Sequence, residues 1–302
     1  MSVDTSDVKE LRDRTNAGIL DCKEALQESG GDMDDAVEYL QKKGLSDAQQ
    51  KSGRLAAEGR VEKWVSDDRT LGLLLEVNCE TDFVARNDDF KAFSTELVEL
   101  AGSSGASSVE ELEDQSIDGT PVPDYTNEKI STIGENIELR RLEVLENPEG
   151  IIGAYIHAGS QIGVLTSVTS TGETDDEAVE DFARDVAMHV AAMDPPFLDA
   201  DDIPEDALEN QRSVFAAQME DKGKPDDIIP QIVDGKIEKW KNENCLVHQP
   251  FVKDNDQTVG ELQETLDGVE LEDFIRFEVG EGIEEEDDED FAEEVARELE
   301  DT

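Results

Sequence analysis

Cysteines are scarce in this chain, and their scarcity limits what can hold the fold together. Only three occur among 302 residues, at positions 22, 79 and 245. This number and this scatter exclude a disulfide framework and a thiolate metal site. No metal or other cofactor is expected, since the histidines also lack metal-ligand spacing and no nucleotide-binding motif occurs.

Long apolar runs are also missing. No apolar stretch approaches the roughly 20 residues that span a bilayer, and no positively charged region precedes an apolar run at the amino terminus. The sequence therefore predicts a cytoplasmic protein without a membrane partner.

Positive charge is in short supply as well. The chain has 26 Lys and Arg against 78 Asp and Glu, a formal net charge of -52. Affinity for nucleic acid comes mainly from Lys and Arg that displace condensed counterions, and anionic membrane surfaces also attract basic segments. The charge balance therefore argues against direct nucleic-acid binding and against membrane binding.

Such acidity is typical of either a disordered chain or a folded protein adapted to concentrated salt. High net charge with few apolar residues favours disorder, but apolar residues make up 36% of this chain and the acids are interleaved with regular apolar periodicity. At about 1 M ionic strength the Debye length falls to about 3 Å, so like charges hardly repel one another. We therefore predict a folded, salt-adapted protein whose acids are mostly solvated surface.

Catalytic motifs are absent. The sequence contains no phosphate-binding G-x-x-x-x-G-K-[ST] loop, no strand-linked G-x-G-x-x-G and no H-E-x-x-H. Its three histidines, His157, His189 and His248, are far apart in sequence. A hydrolase built from Cys79, His157 and an acid can be imagined, but a chain with so many acids offers such triples by chance. The sequence favours a binding protein over an enzyme.

Helical periodicity dominates the first 44 residues, which we predict to form three short helices. The third follows Gly30-Gly31 with Asp32 as its N-cap and ends at Lys42-Lys43, before Gly44. Residues 45–58 are polar and rich in Ala, Gly and Gln, and are predicted to be a linker, for which partial helicity stays open. A bundle this small is expected to serve as a docking module.

A β-hairpin is predicted next, with strands over 61–65 and 71–78. Leu71, Leu73, Leu75 and Val77 recur at period 2, so they are expected to share one face. Thr81 lies at a junction before a helix over 88–101. Residues 102–123 contain few large apolar side chains and are predicted to be a surface excursion.

The rest of the chain mixes helices and strands without regular β-α-β alternation, which favours an α+β fold with antiparallel sheets. His189 falls on an apolar helix face and is predicted to be a packing residue. The predicted elements are helices over 126–134, 175–192 and 259–266, strands over 137–145, 150–158, 161–169 and 273–279, a helical hairpin over 205–243, and an amphipathic segment in 284–302.

Read together, seven segments resemble bacterial-type elongation factor Ts over essentially the whole chain. They stand in the family's order and at similar spacing, so coincidence is implausible. The segments are VKELRDRTNAGILDCKEAL with GGDMDDAVEYLQKKG, then EVNCETDFVARNDDFKAF, GENIELRR, YIHAGSQIGVL, DVAMHVAAMDPPF, QPFVKDNDQTVGEL and FIRFEVGEGIE.

The resemblance implies a domain organisation. It predicts a ubiquitin-associated-like three-helix domain over 1–53 and a core of two subdomains, one over 54–140 and one over 141–194 and 245–282. A helical hairpin over 195–244 is inserted into the second subdomain, and an acidic helical module covers 283–302.

The resemblance also implies a function, since members of this family bind the GTPase elongation factor Tu and release its GDP without covalent chemistry. Residues matching Thr81, Asp82, Phe83 and Val84 carry the family's T-D-F-V segment, whose Asp and Phe reach the GTPase near the magnesium of its nucleotide. His157 matches a histidine that presses near the phosphate-binding loop. Phe83 could instead be a core aromatic, and His157 a turn histidine that faces water.

Docking residues are implied at both ends of the chain. Arg12, Ile19 and Leu20 match positions through which the amino-terminal domain docks on a GTPase helix, although one of the two apolar residues could belong to the core. Phe291 and Val295 match the carboxy-terminal module, which also touches the GTPase. The resemblance leaves open a dimer or a two-to-two complex with the GTPase.

Acids largely replace the family's basic residues here, and the hairpin over 205–243 aligns least securely. Three other functions stay open: an adaptor that binds another protein without catalysing anything, the Cys79–His157 hydrolase, and an acidic mimic of nucleic acid. The even spread of charge argues against the mimic.

Overall fold

A computed structural model describes residues 3–15, 17–222, 225 and 228–283. Within these ranges the chain folds into two compact units. The first comprises residues 3–62, 75–142 and 278–283, and the second comprises 63–74 and 143–277. The division into domains expected from the sequence stays a prediction.

Three helices form the amino-terminal bundle of the first unit: α1 (Thr5–Thr15), α2 (Ile19–Glu28) and α3 (Met33–Lys51). Asp32 caps α3 as predicted, because its side chain accepts from the backbone N–H groups of Asp34 and Asp35, each at 3.0 Å. The bundle closes over a small apolar core of Leu11, Cys22, Ala25, Leu26 and Ala36.

The predicted end of α3 at Lys42-Lys43-Gly44 is wrong, and the first residues of the linker are helical, an alternative that the sequence left open. The helix runs to Lys51, although a helix-interior glycine costs about 1 kcal/mol relative to alanine. Tertiary packing outweighs that cost, since Ala48 is buried and Lys51 Nζ donates to the carbonyl of Ile130 at 3.2 Å.

The predicted hairpin is confirmed and is followed by helices. Strands β1 and β2 pair within a three-stranded sheet of order β1-β2-β5. The elements are β1 (Glu58–Val65), β2 (Leu71–Cys79), α4 (Asp82–Ala85), α5 (Asp88–Ser104), α6 (Val109–Glu113), β3 (Ser116–Ile117), β4 (Thr120–Pro121), α7 (Val122–Ile133) and β5 (Ile137–Glu146).

Burial in this region goes beyond the period-2 pattern of the sequence. Strand β2 is buried on both faces, since Leu74, Glu76 and Asn78 are as buried as Leu73, Leu75 and Val77. The segment 102–123 is not a plain surface excursion, because it forms α6 and the β3–β4 hairpin and buries Leu112 and Val122.

The second unit contains a sheet of order β10-β7-β6, in which β6 and β7 pair antiparallel. Helix α8 packs on this sheet, and Thr166 Oγ1 donates to the carbonyl of Ala183 at 2.8 Å. The elements are β6 (Gly150–Ile156), β7 (Ile162–Ser170), α8 (Asp176–Met193), α9 (Glu205–Asp221), α10 (Ile229–Asn244), β8 (Pro250–Phe251), β9 (Asp254–Thr258), α11 (Val259–Glu264) and β10 (Val269–Glu278).

Helices α9 and α10 confirm the predicted helical hairpin. Its apolar seam joins Met219 to Ile229, Val233 and Ile237, and the ion pair between Arg212 and Asp234 spans 2.6 Å. The whole arrangement confirms the predicted α+β class. None of the helices in the described ranges is both long and apolar enough to cross a membrane.

Candidate functional site

The T-D-F-V segment forms a capped helical turn directly after the central strand of a sheet. Strand β2 ends at Cys79, and Thr81 has extended backbone angles and caps α4 by accepting from Val84 N–H at 3.4 Å. Asn87 then caps α5 through Asp89 N–H at 2.7 Å. The turn is thus held at its entry by one cap and at its exit by another.

Thr81 is also held from across the unit. The backbone N–H of Thr81 donates to Glu135 Oε2 at 3.0 Å, and its hydroxyl donates to Glu135 Oε1 at 2.6 Å. Sequence reasoning missed Glu135, because its distance of 54 residues from Thr81 hides the pair. Its place in GENIELRR was the one available signal.

Phe83 is exposed, so the alternative that it is a core aromatic is wrong. The side chain is 81% exposed, the largest value among the exposed large apolar residues of the described chain. Asp82 lies beside it and pairs with Arg86, with Nη2 and Oδ2 3.2 Å apart at the surface. The turn therefore presents one ring and one carboxylate to solvent.

The predicted docking residues of the amino-terminal bundle lie together. Ile19 and Leu20, the first residues of α2, are 58% and 80% exposed. The alternative that one of them is core is therefore wrong. With Arg12 they line a single cleft on the first unit. An adjacent apolar pair this exposed is typical of a docking surface.

His157 lies in the second unit, just after β6. Its backbone N–H donates to the carbonyl of Ile162 at 2.9 Å, and its Nδ1 is 3.1 Å from the Tyr155 hydroxyl. The imidazole is exposed. Tyr155 thus orients an exposed ring, which fits either a partner contact or a turn histidine that faces water.

Cys79 cannot serve as a nucleophile. The residue is fully buried, and its thiol donates to the carbonyl of Thr81 at 3.3 Å. Burial, with a further contribution from the carboxylate of Glu135, raises the pKa of the Cys79 thiol to about 12. The thiolate is therefore essentially absent at neutral pH, which contradicts the hydrolase alternative.

His189 is a packing residue, as predicted. It is fully buried, and its Nδ1 accepts from Val252 N–H at 3.1 Å. The other nitrogen, Nε2, therefore carries the proton and donates to Gln249 Oε1 at 2.9 Å. Burial lowers the pKa of His189, so the ring is held neutral inside the unit.

Two further observations bear on the predicted site. Phe291 and Val295 lie outside the described residues. Among the residues that are described, no group of three or more His, Cys, Asp or Glu side chains could hold a metal ion.

Sequence comparison places this chain in a family. Residues 80–281 match the family model described as elongation factor TS. The chain is 48% identical over 305 residues to elongation factor Ts of Halothermothrix orenii, with 99% of each chain covered. It is 43% identical to that of Nitratiruptor sp., covering 99% of this chain and 100% of the relative. It is 41% identical to elongation factor Ts of Clostridium botulinum strain Alaska E43, and the match covers 98% of this chain and 99% of the relative. The chain therefore belongs to the elongation factor Ts family.

Proposed function

We propose that this protein binds elongation factor Tu in its GDP-bound form and promotes release of the GDP, so that GTP can rebind. Membership of the elongation factor Ts family implies guanine-nucleotide exchange in translation elongation. The observation that carries the mechanism is the 81% exposure of Phe83 on a turn capped by Thr81. A solvent-facing aromatic on a rigid turn is suited to insertion into a partner.

The proposed mechanism needs no covalent step. The magnesium ion of a bound nucleotide bridges phosphate oxygens and protein ligands. Phe83 enters between the elements whose packing maintains that geometry, and Asp82 enters beside it. Nucleotide and exchange factor then each weaken the binding of the other, which is a reciprocal coupling free energy. The protein therefore acts as a non-enzymatic catalyst of exchange.

The free energies involved are consistent with Phe83 acting as a wedge, that is, as a ring inserted between elements of the GTPase. Fully burying a Phe side chain is worth about 1.5–3 kcal/mol, and typical coupling free energies between two sites are about 1–3 kcal/mol. One ring can thus supply a coupling of typical size. A larger acceleration requires further contacts. The candidates are His157 and two docking modules, the amino-terminal bundle and the carboxy-terminal segment.

Docking is proposed to be separate from the wedge. Arg12, Ile19 and Leu20 hold the amino-terminal bundle on the GTPase, while Phe291 and Val295 hold the carboxy-terminal segment. The proposed setting is the cytoplasm, with no direct contact to nucleic acid or membrane. Gel filtration should show a stable complex with the GTPase only when GDP is absent.

The direct test is release of labelled GDP from the cognate GTPase. We expect this protein to accelerate release, and we would measure it from about 0.1 M to several molar KCl because the extreme acidity predicts salt adaptation. Spontaneous release at each salt concentration is the control. Absence of acceleration throughout the range would contradict exchange activity, and binding without acceleration would support the adaptor function.

The docking surface makes a second prediction. Leu20→Ser should raise the concentration for half-maximal exchange by about tenfold or more, because burial of a Leu side chain on the partner is worth about 1.5–3 kcal/mol. The maximal rate should not change, since the wedge is intact. Titration of the GDP-release rate against factor concentration measures both quantities.

A matched control for this prediction is Leu45→Ser. Leu45 is an exposed leucine on α3 of the same bundle, outside the cleft formed around Leu20. The Leu45→Ser variant should leave the concentration for half-maximal exchange unchanged. A fall in the maximal rate of the Leu20 variant, without a change in half-saturation, would argue against a docking role.

A further inference from the structure

We propose that Glu135 is a positioning residue for nucleotide exchange, whose carboxylate holds the turn carrying Asp82 and Phe83 in a preformed orientation. This inference rests on the proposed exchange function. It assigns a role to a residue that acts through Thr81.

Glu135 binds Thr81 through both of its carboxylate oxygens. Glu135 Oε2 accepts the backbone N–H of Thr81 at 3.0 Å, and Oε1 accepts its hydroxyl proton at 2.6 Å. Hydrogen bonds to an ionised acceptor are about twice as strong as neutral ones. Two such bonds from one carboxylate fix both the position and the rotation of Thr81.

The hydrogen bonds from Glu135 to Thr81 connect directly to the helical turn. Because the Thr81 hydroxyl donates its proton to Glu135, its oxygen lone pairs remain free to accept, and Oγ1 accepts from Val84 N–H at 3.4 Å. A chain of hydrogen bonds therefore runs from Glu135 through the Thr81 hydroxyl to the turn. Removing Glu135 frees that hydroxyl to rotate away from the cap.

The segment that carries Glu135 is itself anchored. It follows Gly134, which ends α7 in the left-handed region at φ 92°. The backbone N–H of the next residue, Asn136, donates to Glu80 Oε1 at 2.6 Å, and the Asn136 side-chain amide donates to the carbonyl of Arg54 at 2.9 Å. Glu135 is thus presented from a fixed backbone.

The two segments hold each other reciprocally. The side chain of Glu80 accepts from the backbone at Asn136, while the side chain of Glu135 accepts from the backbone at Thr81. Neighbouring residues on each segment thus contribute one carboxylate and one backbone donor. We call these two reciprocal contacts the clamp; they lie directly before the T-D-F-V turn.

The clamp orients the turn and contributes little to the apolar core. Phe83 is 81% exposed, and Glu135 is only half-buried. The buried apolar side chain of α4 is the small Ala85, so loosening the turn exposes little apolar surface. Preorganising a binding element lowers the ordering cost at the moment of association or reaction. We therefore expect loss of Glu135 to affect the exchange step rather than the stability of the fold.

The test measures release of labelled GDP from elongation factor Tu against rising concentrations of each variant. Glu135→Ala should lower the maximal rate about tenfold, as expected for two lost hydrogen bonds, with half-saturation unchanged because the docking surfaces remain. Glu135→Gln should lose less, since its amide oxygen can still accept from Thr81 N–H. Glu138→Ala, which removes an exposed carboxylate from β5, is the matched control and should match the parent.

Two further readouts separate positioning from general damage. In a Phe83→Ala background, Glu135→Ala should have a smaller effect on exchange than in the parent, because only Asp82 is then left for the turn to orient. Hydrogen exchange of the free protein should be faster at the amides of residues 81–86 in Glu135→Ala and unchanged in Glu138→Ala.

Several outcomes would overturn the inference. One is an active parent whose Glu135→Ala variant exchanges equally fast, and another is an equal loss in the Phe83→Ala background. Slower exchange without faster amide exchange at residues 81–86 would also overturn it. A parent that fails to accelerate GDP release would overturn the proposed function itself, which is a different result from any of these.

Discussion

Phe83→Ala is expected to lower the maximal rate of GDP release by about 10- to 100-fold while leaving the stability of the protein unchanged. Burial of the ring on the GTPase is worth about 1.5–3 kcal/mol, and each 1.36 kcal/mol is a factor of ten in rate. Because the ring is 81% exposed in the free protein, its removal takes away almost no internal contact.

The measurement compares two phenylalanines of the same unit. Phe93 lies on α5 and is fully buried, so Phe93→Ala should cost about 3–5 kcal/mol of stability. Phe83→Ala should do the reverse, with exchange lost and the unfolding midpoint kept. Parallel loss of exchange and stability in the Phe83 variant would return the ring to a structural role.

Asp82→Ala is the companion to this variant. Its surface ion pair with Arg86 contributes little to stability, so a loss of exchange would reflect the partner contact. Arg86→Ala breaks the same ion pair but keeps the carboxylate, so it is the natural control. Equal effects of the two substitutions would point to the ion pair instead.

The second large effect is expected at Glu76, where Glu76→Ala should lower the free energy of unfolding by about 3–5 kcal/mol. This side chain is fully buried in β2. It accepts from Arg140 Nη1 at 3.0 Å, from Arg141 Nε at 2.5 Å and from Gly280 N–H at 2.8 Å. Its removal leaves two partly buried guanidinium groups without their shared counter-charge.

The same carboxylate anchors the segment that leads towards the carboxy terminus. Arg141 Nη2 donates to the carbonyl of Glu278 at 2.9 Å, and Arg140 Nη2 donates to the carbonyl of Glu281. Each arginine therefore bonds Glu76 with one part of its guanidinium and residues 278–281 with another. Loss of Glu76 should consequently loosen these residues first.

Equilibrium urea unfolding at a fixed salt concentration measures the effect, since urea is uncharged and leaves ionic strength unchanged. The control is Glu281→Gln, which removes only the outer ion pair with Arg141 at 3.2 Å from a half-exposed side chain and should cost about 0–1 kcal/mol. Buried pairs are screened much less than exposed ones, so the Glu76 effect should persist at molar salt. Equal losses in the two variants would contradict this account.

The sequence alone determined most of the longer elements and the family. Period-2 alternation located the β1–β2 hairpin, and helical periodicity located α8 and the α9–α10 pair, because both signals depend on neighbours a few residues apart. The seven ordered segments indicated elongation factor Ts, and the matches over residues 80–281 and over whole relatives confirmed it. The exposure of Ile19 and Leu20 was predicted only as one of two alternatives.

Tertiary structure decided what depends on residues far apart in the chain. It extended α3 past Gly44 because α7 offers Lys51 a partner, and it buried both faces of β2. It turned Glu76 into a buried acceptor for arginines 64 and 65 residues away. It also placed Glu135 on Thr81 across 54 residues and left Phe83 in solvent. A carboxylate among 78 acids carries no local mark of such a role, because its partners meet it only once the strands and helices have packed.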